Sequence, residues 1–102
     1  MPRNDAPSAP ALNVRGAFIR RIDLSRASLR GANLARADAS GAIFRGSDFH
    51  RAILDGTVLK GADLRDAINL TVEQLASAIL DETTQLPDYI DRAKIPALVQ
   101  PS

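Results

Sequence analysis

Few side chains in this sequence could support catalysis. His50 is the only histidine and there is no cysteine, so neither a histidine pair nor a thiolate can form. Two carboxylate pairs have the residue types of a general acid and base: Asp63 with Asp66, and Asp81 with Glu82. Such a pair works only in a cleft that shifts its pKa values, so the elements that carry these side chains decide what they can do.

Basic side chains are the second group that could recognise a ligand. Residues 12–66 carry ten basic and six acidic residues, a net charge of +4, whereas residues 67–102 carry two basic and five acidic residues, a net charge of −3. Five of the arginines could form a basic surface if the chain winds with twenty residues per turn. Arg26, Arg45 and Arg65 would then lie on one face, and Arg30 and Arg51 on the next. Aspartates alternate with them and no aromatic residues are interleaved, which favours a solvated surface over nucleic-acid binding.

The composition indicates one small domain with an unusual core. The chain has 102 residues, of which 45% are hydrophobic but only 4% aromatic, and seventeen are alanine. Its core must therefore pack small side chains closely. No apolar run approaches the roughly 18 residues of a membrane span, and the N-terminus lacks the apolar stretch of a secretory signal. We expect a cytoplasmic protein.

A five-residue period runs through the chain. All six glycines lie at positions that leave remainder one on division by five: 16, 31, 41, 46, 56 and 61. Divided into quintets from Leu12, the sequence gives eleven units ending at Asp66, and ten of the eleven third positions are large and apolar. The first position is alanine seven times. Neither a helix nor a strand has this period, so the pattern indicates a repeat architecture.

The quintets ANLAR and ADLRD follow the pattern A-(D/N)-L-x-x, which resembles the motif of the pentapeptide-repeat family. The resemblance implies an all-β solenoid: a right-handed quadrilateral β-helix with four quintets per coil, in which the first and third positions point inward. Residues 12–66 would make about three coils. A filled prism offers no cleft, so we predict that the chain is not an enzyme and has no metal, cofactor or small-molecule substrate.

The period breaks after Asp66, and the residues that follow favour a helix. Thr71 reads as an N-cap with Gln74 three residues on, and apolar residues then recur at helical spacing: Val72, Leu75, Ala76, Ile79 and Leu80. We predict a flexible segment over 1–11, the β-helix over 12–69, and a helical cap and tail over 70–102, with 93–102 extended. Leu12 and Ile22 would plug the N-terminal end.

Second positions of the quintets should face solvent, yet four of them are apolar: Phe18, Ile43, Ile53 and Val58. Single exposed apolar residues are ordinary, but flat solenoid faces suit protein contacts. The sequence thus favours an interaction or scaffold module that binds another protein or a second copy. The alternative, from the family resemblance, is a DNA-mimicking modulator of a type II topoisomerase (DNA gyrase), although the net positive charge of the repeat weighs against mimicry.

Overall fold

The computed structural model describes residues 11–98, and most of them wind as a β-helix. Isolated parallel β-bridges, rather than continuous strands, join second-position residues that are twenty apart as far as Ile68. Twenty residues are four quintets, so each coil has four sides. The bridged columns are Asn13, Asn33 and Ile53 on side 1; Phe18, Asp38, Val58 and Ile79 on side 2; Asp23, Ile43, Asp63 and Gln85 on side 3; and Ser28, Asp48 and Ile68 on side 4. We call residues 12–31 coil 1 and residues 32–51 coil 2.

A tight turn makes each corner of the coil. The third-position carbonyl accepts a hydrogen bond from the N–H of the next first position, as Val14 does from Ala17 at 3.0 Å. The fifth position of all eleven quintets has a φ between 61 and 72°. A positive φ at the third residue of a β-turn is the mark of a type II turn, and glycine adopts it without strain. The glycine period is therefore the period of the corners.

Aspartate and asparagine at the second position hold these turns in place. The Oδ1 atoms of Asn33, Asp38 and Asp48 accept the backbone N–H two residues further on, at 3.0, 3.1 and 3.0 Å. This is the Asx-turn geometry, in which a short polar side chain replaces a backbone partner. The D/N preference in the motif is thus a backbone requirement.

First and third positions fill the interior of the prism. Leu34, Leu54 and Leu59 are at most 1% exposed, and the rings of Phe44 and Phe49 meet edge to face with centroids 5.4 Å apart. Hydroxyl residues at first positions donate a hydrogen bond to a carbonyl of the preceding coil, as Thr57 Oγ1 does to the Leu34 carbonyl at 2.6 Å. Within residues 11–98 every buried side-chain nitrogen or oxygen has a hydrogen-bond partner.

One α-helix, α1, spans Val72–Ser77 and begins with the capping box expected from Thr71 and Gln74. The coil does not end before it. Ile79 bridges to Val58 and Gln85 to Asp63, so strand pairing continues beyond residue 69, where the sequence analysis ended the β-helix. Ile79 and Leu80, assigned to the helix by their spacing, belong to this resumed coil.

Helix α1 occupies the place of one side of a coil. Leu75 is fully buried beneath it, and Gln74 Nε2 donates to the carbonyls of Phe49 and Ala52, at 2.9 Å each. Gly56 donates to the Ser77 carbonyl at 2.8 Å. The helix therefore supplies the interior side chain and the polar contacts that a quintet would supply, which is why the coil can resume after it.

The residues after the resumed coil form two 3-10 helices, Arg92–Lys94 and Pro96–Leu98, and not the extended segment predicted from residue 93. Ile90 and Ile95 are buried against the core, and Arg92 Nη1 donates to the Thr84 carbonyl at 2.8 Å. All but Ala11 of the segment predicted to be flexible lies outside the described residues. In residues 11–98 no helix has the length and hydropathy to cross a membrane.

Candidate interaction surfaces

Side 2 brings two of the four predicted apolar contact residues into one column. Phe18 is 85% exposed and Val58 is half-buried, and each is bridged to Asp38 between them. At a coil spacing of about 4.8 Å the two apolar residues lie roughly 10 Å apart. Asp38 pairs with Arg20 at 3.6 Å, so the only charged residue of the column has a partner of opposite charge.

Ile79 extends this column and was missed by the sequence analysis. It bridges to Val58 and is 43% exposed. The sequence did contain a pattern that could have identified Ile79, because Ala78, Ile79 and Leu80 have the order of the first three positions of a quintet: small, variable and large. The signal was hidden because the six-residue helix shifts the spacing from Val58 to twenty-one residues, out of the five-residue register.

The other two predicted contact residues lie on different sides. Ile53 is 44% exposed on side 1, around the corner from Val58. Ile43 is half-buried on side 3, between Asp23 and Asp63 in its column. Both of these sides border side 2, but the side 2 residue one quintet from Ile53 is the apolar Val58, whereas the one nearest to Ile43 is Asp38, so we group only Ile53 with the side 2 column. We call Phe18, Ile53, Val58 and Ile79 the apolar strip.

Three of the five arginines of the predicted basic faces are engaged in ion pairs: Arg30 with Asp48 at 3.0 Å, Arg45 with Asp66 at 3.2 Å and Arg65 with Asp63 at 2.8 Å. Arg26 and Arg45 line a single groove at the corner between sides 3 and 4, and Arg51 is exposed at the next corner. Each exposed pair adds little stability, but it removes positive charge from the surface. The arrangement weakens the field that an anionic polymer would need.

Two of the candidate catalytic carboxylates, Asp63 and Asp81, accept the backbone N–H two residues further on and so hold turns, and Asp66 pairs with Arg45. His50 is exposed at a fourth position, where its backbone N–H is bound by Asp48. The side-chain hydrogen bond from Arg65 holds the pKa of Asp63 below its usual value, and the bond from Thr83 does the same for the pKa of Asp81. A lowered pKa keeps a carboxylate charged at neutral pH, which is the opposite of what a general acid needs. Residues 11–98 contain no cluster of three or more potential metal ligands.

Asp48 has the strongest set of partners among these aspartates. Its carboxylate accepts hydrogen bonds from Asn69 Nδ2 at 2.9 Å, from the His50 backbone at 3.0 Å and from Arg30 at 3.0 Å. These contacts, led by the Asn69 amide, lower the pKa of Asp48 to about 2. The carboxylate therefore ties three successive coils together at one corner.

Comparison with known proteins agrees with this geometry. The family model for pentapeptide repeats matches residues 13–46 and 32–68, in eight copies. The chain belongs to the pentapeptide-repeat family. No curated protein matches it.

Two solved structures resemble this pentapeptide-repeat chain. One is a pentapeptide repeat protein (Rfr23) from the cyanobacterium Cyanothece 51142, with a TM-score of 0.67 and 24% identity over 76% of this chain. The match covers 52% of that protein, so the chain spans about half its length. The other is alr5209, a pentapeptide repeat protein from Nostoc Pcc 7120, with a TM-score of 0.58 and 27% identity over 86% of this chain and 80% of that one. The fold is thus a right-handed β-helix.

Proposed function

We propose that this pentapeptide-repeat chain is a non-enzymatic protein-interaction module that binds another protein through the apolar strip. The observation that carries the proposal is Phe18, an aromatic side chain left 85% exposed on a flat face of a rigid prism. Aromatic residues dominate the binding energy of protein interfaces. Burying one such side chain contributes about 1.5–3 kcal/mol, which no contact within residues 11–98 supplies to Phe18.

The surroundings of Phe18 support a protein as the occupant. Val58 and Ile79 continue the column, Ile53 adjoins it, and the one charged residue among them, Asp38, is already paired with Arg20. A partner therefore meets apolar surface without having to desolvate an unpaired carboxylate. The backbone beneath is held by bridges on both sides of Asp38 and Val58, so little conformational entropy is lost on binding.

Substitution of the strip tests the proposal. Affinity capture from the native host is compared for the unchanged chain, the variant Phe18→Asp with Val58→Asp, and the control Ile68→Asp. Ile68 is 48% exposed on side 4, away from the strip. A protein held by the unchanged chain and by the control, but lost from the double variant, supports the proposal. Capture of the same proteins by all three chains contradicts it, provided that circular dichroism shows each variant folded.

The charge pairs among the described residues do not support the alternative, a DNA mimic directed at a topoisomerase. Mimicry needs a continuous negative surface, whereas Asp38, Asp48 and Asp63 are each paired with an arginine. We expect purified DNA gyrase to supercoil plasmid at the same rate with or without the protein. Inhibition that survives the double substitution in the strip would favour the mimic over the interaction module.

A further inference from the structure

Within residues 11–98, coil 1 forms one end of the β-helix, and its outer edge is unpaired; we call it the open end. In coil 2 the second-position residues Asn33, Asp38, Ile43 and Asp48 each use their N–H and C=O to bind coil 1. The equivalent groups of coil 1 have no hydrogen-bond partner within residues 11–98: those of Asn13, Phe18, Asp23 and Ser28. Four N–H donors and four C=O acceptors thus face outward around the open end. Such an unpaired edge is a template for another chain.

Apolar side chains accompany this edge. Leu12 is 42% exposed and Ile22 37% exposed, whereas Ala32 and Ala42, one coil above them in the same columns, are fully buried. The sequence analysis expected Leu12 and Ile22 to plug the end, but their exposure shows that they cover it only in part. The opposite end is different, because Ile90 and Ile95 are buried in the tail that follows the resumed coil.

We infer that a second copy of this chain covers the open end, head to head, with the two coil 1 edges paired antiparallel. The edge of coil 1 rises around the β-helix axis as a helical ramp. A 180° rotation about an axis perpendicular to the β-helix axis leaves the handedness and the pitch of this ramp unchanged. The edges of two copies related by this rotation therefore stay one coil spacing apart around the whole circumference. Each of the four sides can then exchange two backbone hydrogen bonds with the side that it faces. The contact is self-complementary and closes at two copies.

The charges of coil 1 do not block this contact. Coil 1 has five arginines and one aspartate, but four of the arginines contact coil 2 and so point away from the open end. Arg20 and Arg30 pair with aspartates of coil 2, at 3.6 and 3.0 Å. Arg21 and Arg26 have their Cγ atoms 3.3 Å from where a Cβ on Gly41 or Gly46 would lie. The remaining repulsion between two positive ends is spread over long, solvated side chains and is screened by salt.

The size of the end sets the strength of the dimer. Each side of the coil has three strand residues of about 3.3 Å each, and outward side chains add about 5 Å at either end, so the end of the prism is a square of about 20 Å. Its area is roughly 400 Å² per copy, half of the about 800 Å² that each partner buries in a typical stable interface. We therefore expect a weak dimer, with a dissociation constant between about 10 µM and about 1 mM.

Sedimentation equilibrium of the full chain over this range tests the inference. We expect the mass to rise with concentration, to level off at two chains, and to rise further in about 0.5 M salt than in about 0.05 M, because salt screens two positive ends. A mass that stays at one chain overturns the inference. Growth beyond two chains that salt weakens also overturns it, because that behaviour belongs to a head-to-tail contact between coil 1 and the acidic residues after 66.

Lysine substitutions locate the contact. Leu12→Lys with Ile22→Lys should abolish the dimer, as edge lysines do in natural sheets. The matched control is Ile53→Lys with Ile68→Lys, which changes residues of similar exposure, 44% and 48%, away from the open end. Loss of the dimer in the control alone would overturn the inference and would place self-association on the flank instead.

Amide hydrogen exchange supplies a readout that does not depend on these variants. The N–H groups of Asn13, Phe18, Asp23 and Ser28 should exchange freely in dilute solution and become protected as the concentration rises. Exchange at these four amides that does not change with concentration would overturn the inference. The inference is independent of the proposed function, since it concerns the open end and the proposed function concerns the flank.

Discussion

The fifth positions of the quintets lie at the corners, and those twenty residues apart stack in successive coils. In these corner columns, glycine in one coil often lies next to arginine in the neighbouring coil. Gly16, Arg36 and Gly56 stack at one corner, and Arg26 lies directly before Gly46 at another. The arginine stem lies over the next glycine, with its Cγ 3.3 Å from where a Cβ on Gly46 would be. Glycine is thus needed at this position for two reasons, its left-handed φ and the side chain packed against it.

Two alanine substitutions separate these reasons. Gly16 and Gly46 have φ values of 70 and 72°, but a Cβ on Gly16 meets no atom within 4 Å among the described residues. Gly16→Ala should cost about 1 kcal/mol of unfolding free energy from the left-handed backbone alone. Gly46→Ala should cost more, because the arginine stem must also move. Urea denaturation measures both, and equal losses would show that the stacking has no energetic effect.

At the scale of elements, a six-residue helix substitutes for one side of a square coil. Gln74 makes the substitution possible because its side chain serves two parts of the molecule. Its Oε1 accepts the Thr71 N–H at 2.8 Å and completes the capping box, while its Nε2 donates to the carbonyls of Phe49 and Ala52. The helix start and the coil below are therefore joined by one amide group.

Gln74→Glu tests this joint. Glutamate keeps the acceptor of the capping box but loses both donors, and it places a carboxylate against two carbonyl oxygens. We expect a loss of about 2 kcal/mol or more in unfolding free energy, the cost of carbonyls left without a partner. The control Gln85→Glu makes the same chemical change at an exposed position and should cost less, although it places a carboxylate beside Asp63 in the same column. Similar losses in both variants, measured by urea denaturation, would show that the contacts of Gln74 do not support the coil.

At the scale of the whole molecule, carboxylates hold the turns of every coil. The pKa values of five aspartates are lowered, chiefly by hydrogen bonds: Asp23, Asp38, Asp48, Asp63 and Asp81. A folded pKa below the unfolded one means that the unfolded chain binds protons more readily in acid. The stability that these groups contribute is therefore present above the unfolded pKa of 3.8 and lost as the pH falls through their folded values.

Acid should thus unfold the protein over a defined range. Unfolding free energy should change little between about pH 7 and pH 5, then fall steeply below about pH 4 and continue to fall toward pH 2, the value to which the pKa of Asp48 is lowered. Asp48→Asn should flatten the lowest part of this profile, because it removes the carboxylate whose pKa is lowered to about 2. Urea midpoints measured across the pH range would show the difference. A profile without a fall below pH 4 would contradict the role of the turn carboxylates.

The regular part of the fold was predictable because each quintet repeats the same local requirements. A left-handed corner, an Asx turn and two inward side chains depend on neighbours within five residues, so Gly16 or Asp38 signals its role without knowledge of distant contacts. The candidate surface was predictable in part. Phe18 and Val58 share a column because the coil length is a multiple of the quintet, but Ile79 depends on how much chain the helix absorbs.

The sequence by itself determined the five-residue repeat, its inward positions and the start of helix α1, since all of these follow from short-range stereochemistry, whereas the four-sided coil was implied by the family resemblance. Only the tertiary structure decided that the coil resumes after the helix, because Ile79 and Gln85 find their bridges through contacts with residues more than twenty positions away. It also decided that three arginines of the predicted basic faces are paired and that the edge of coil 1 has no partner within the described residues. Pairing and exposure are properties of neighbours in space, which a local pattern does not specify.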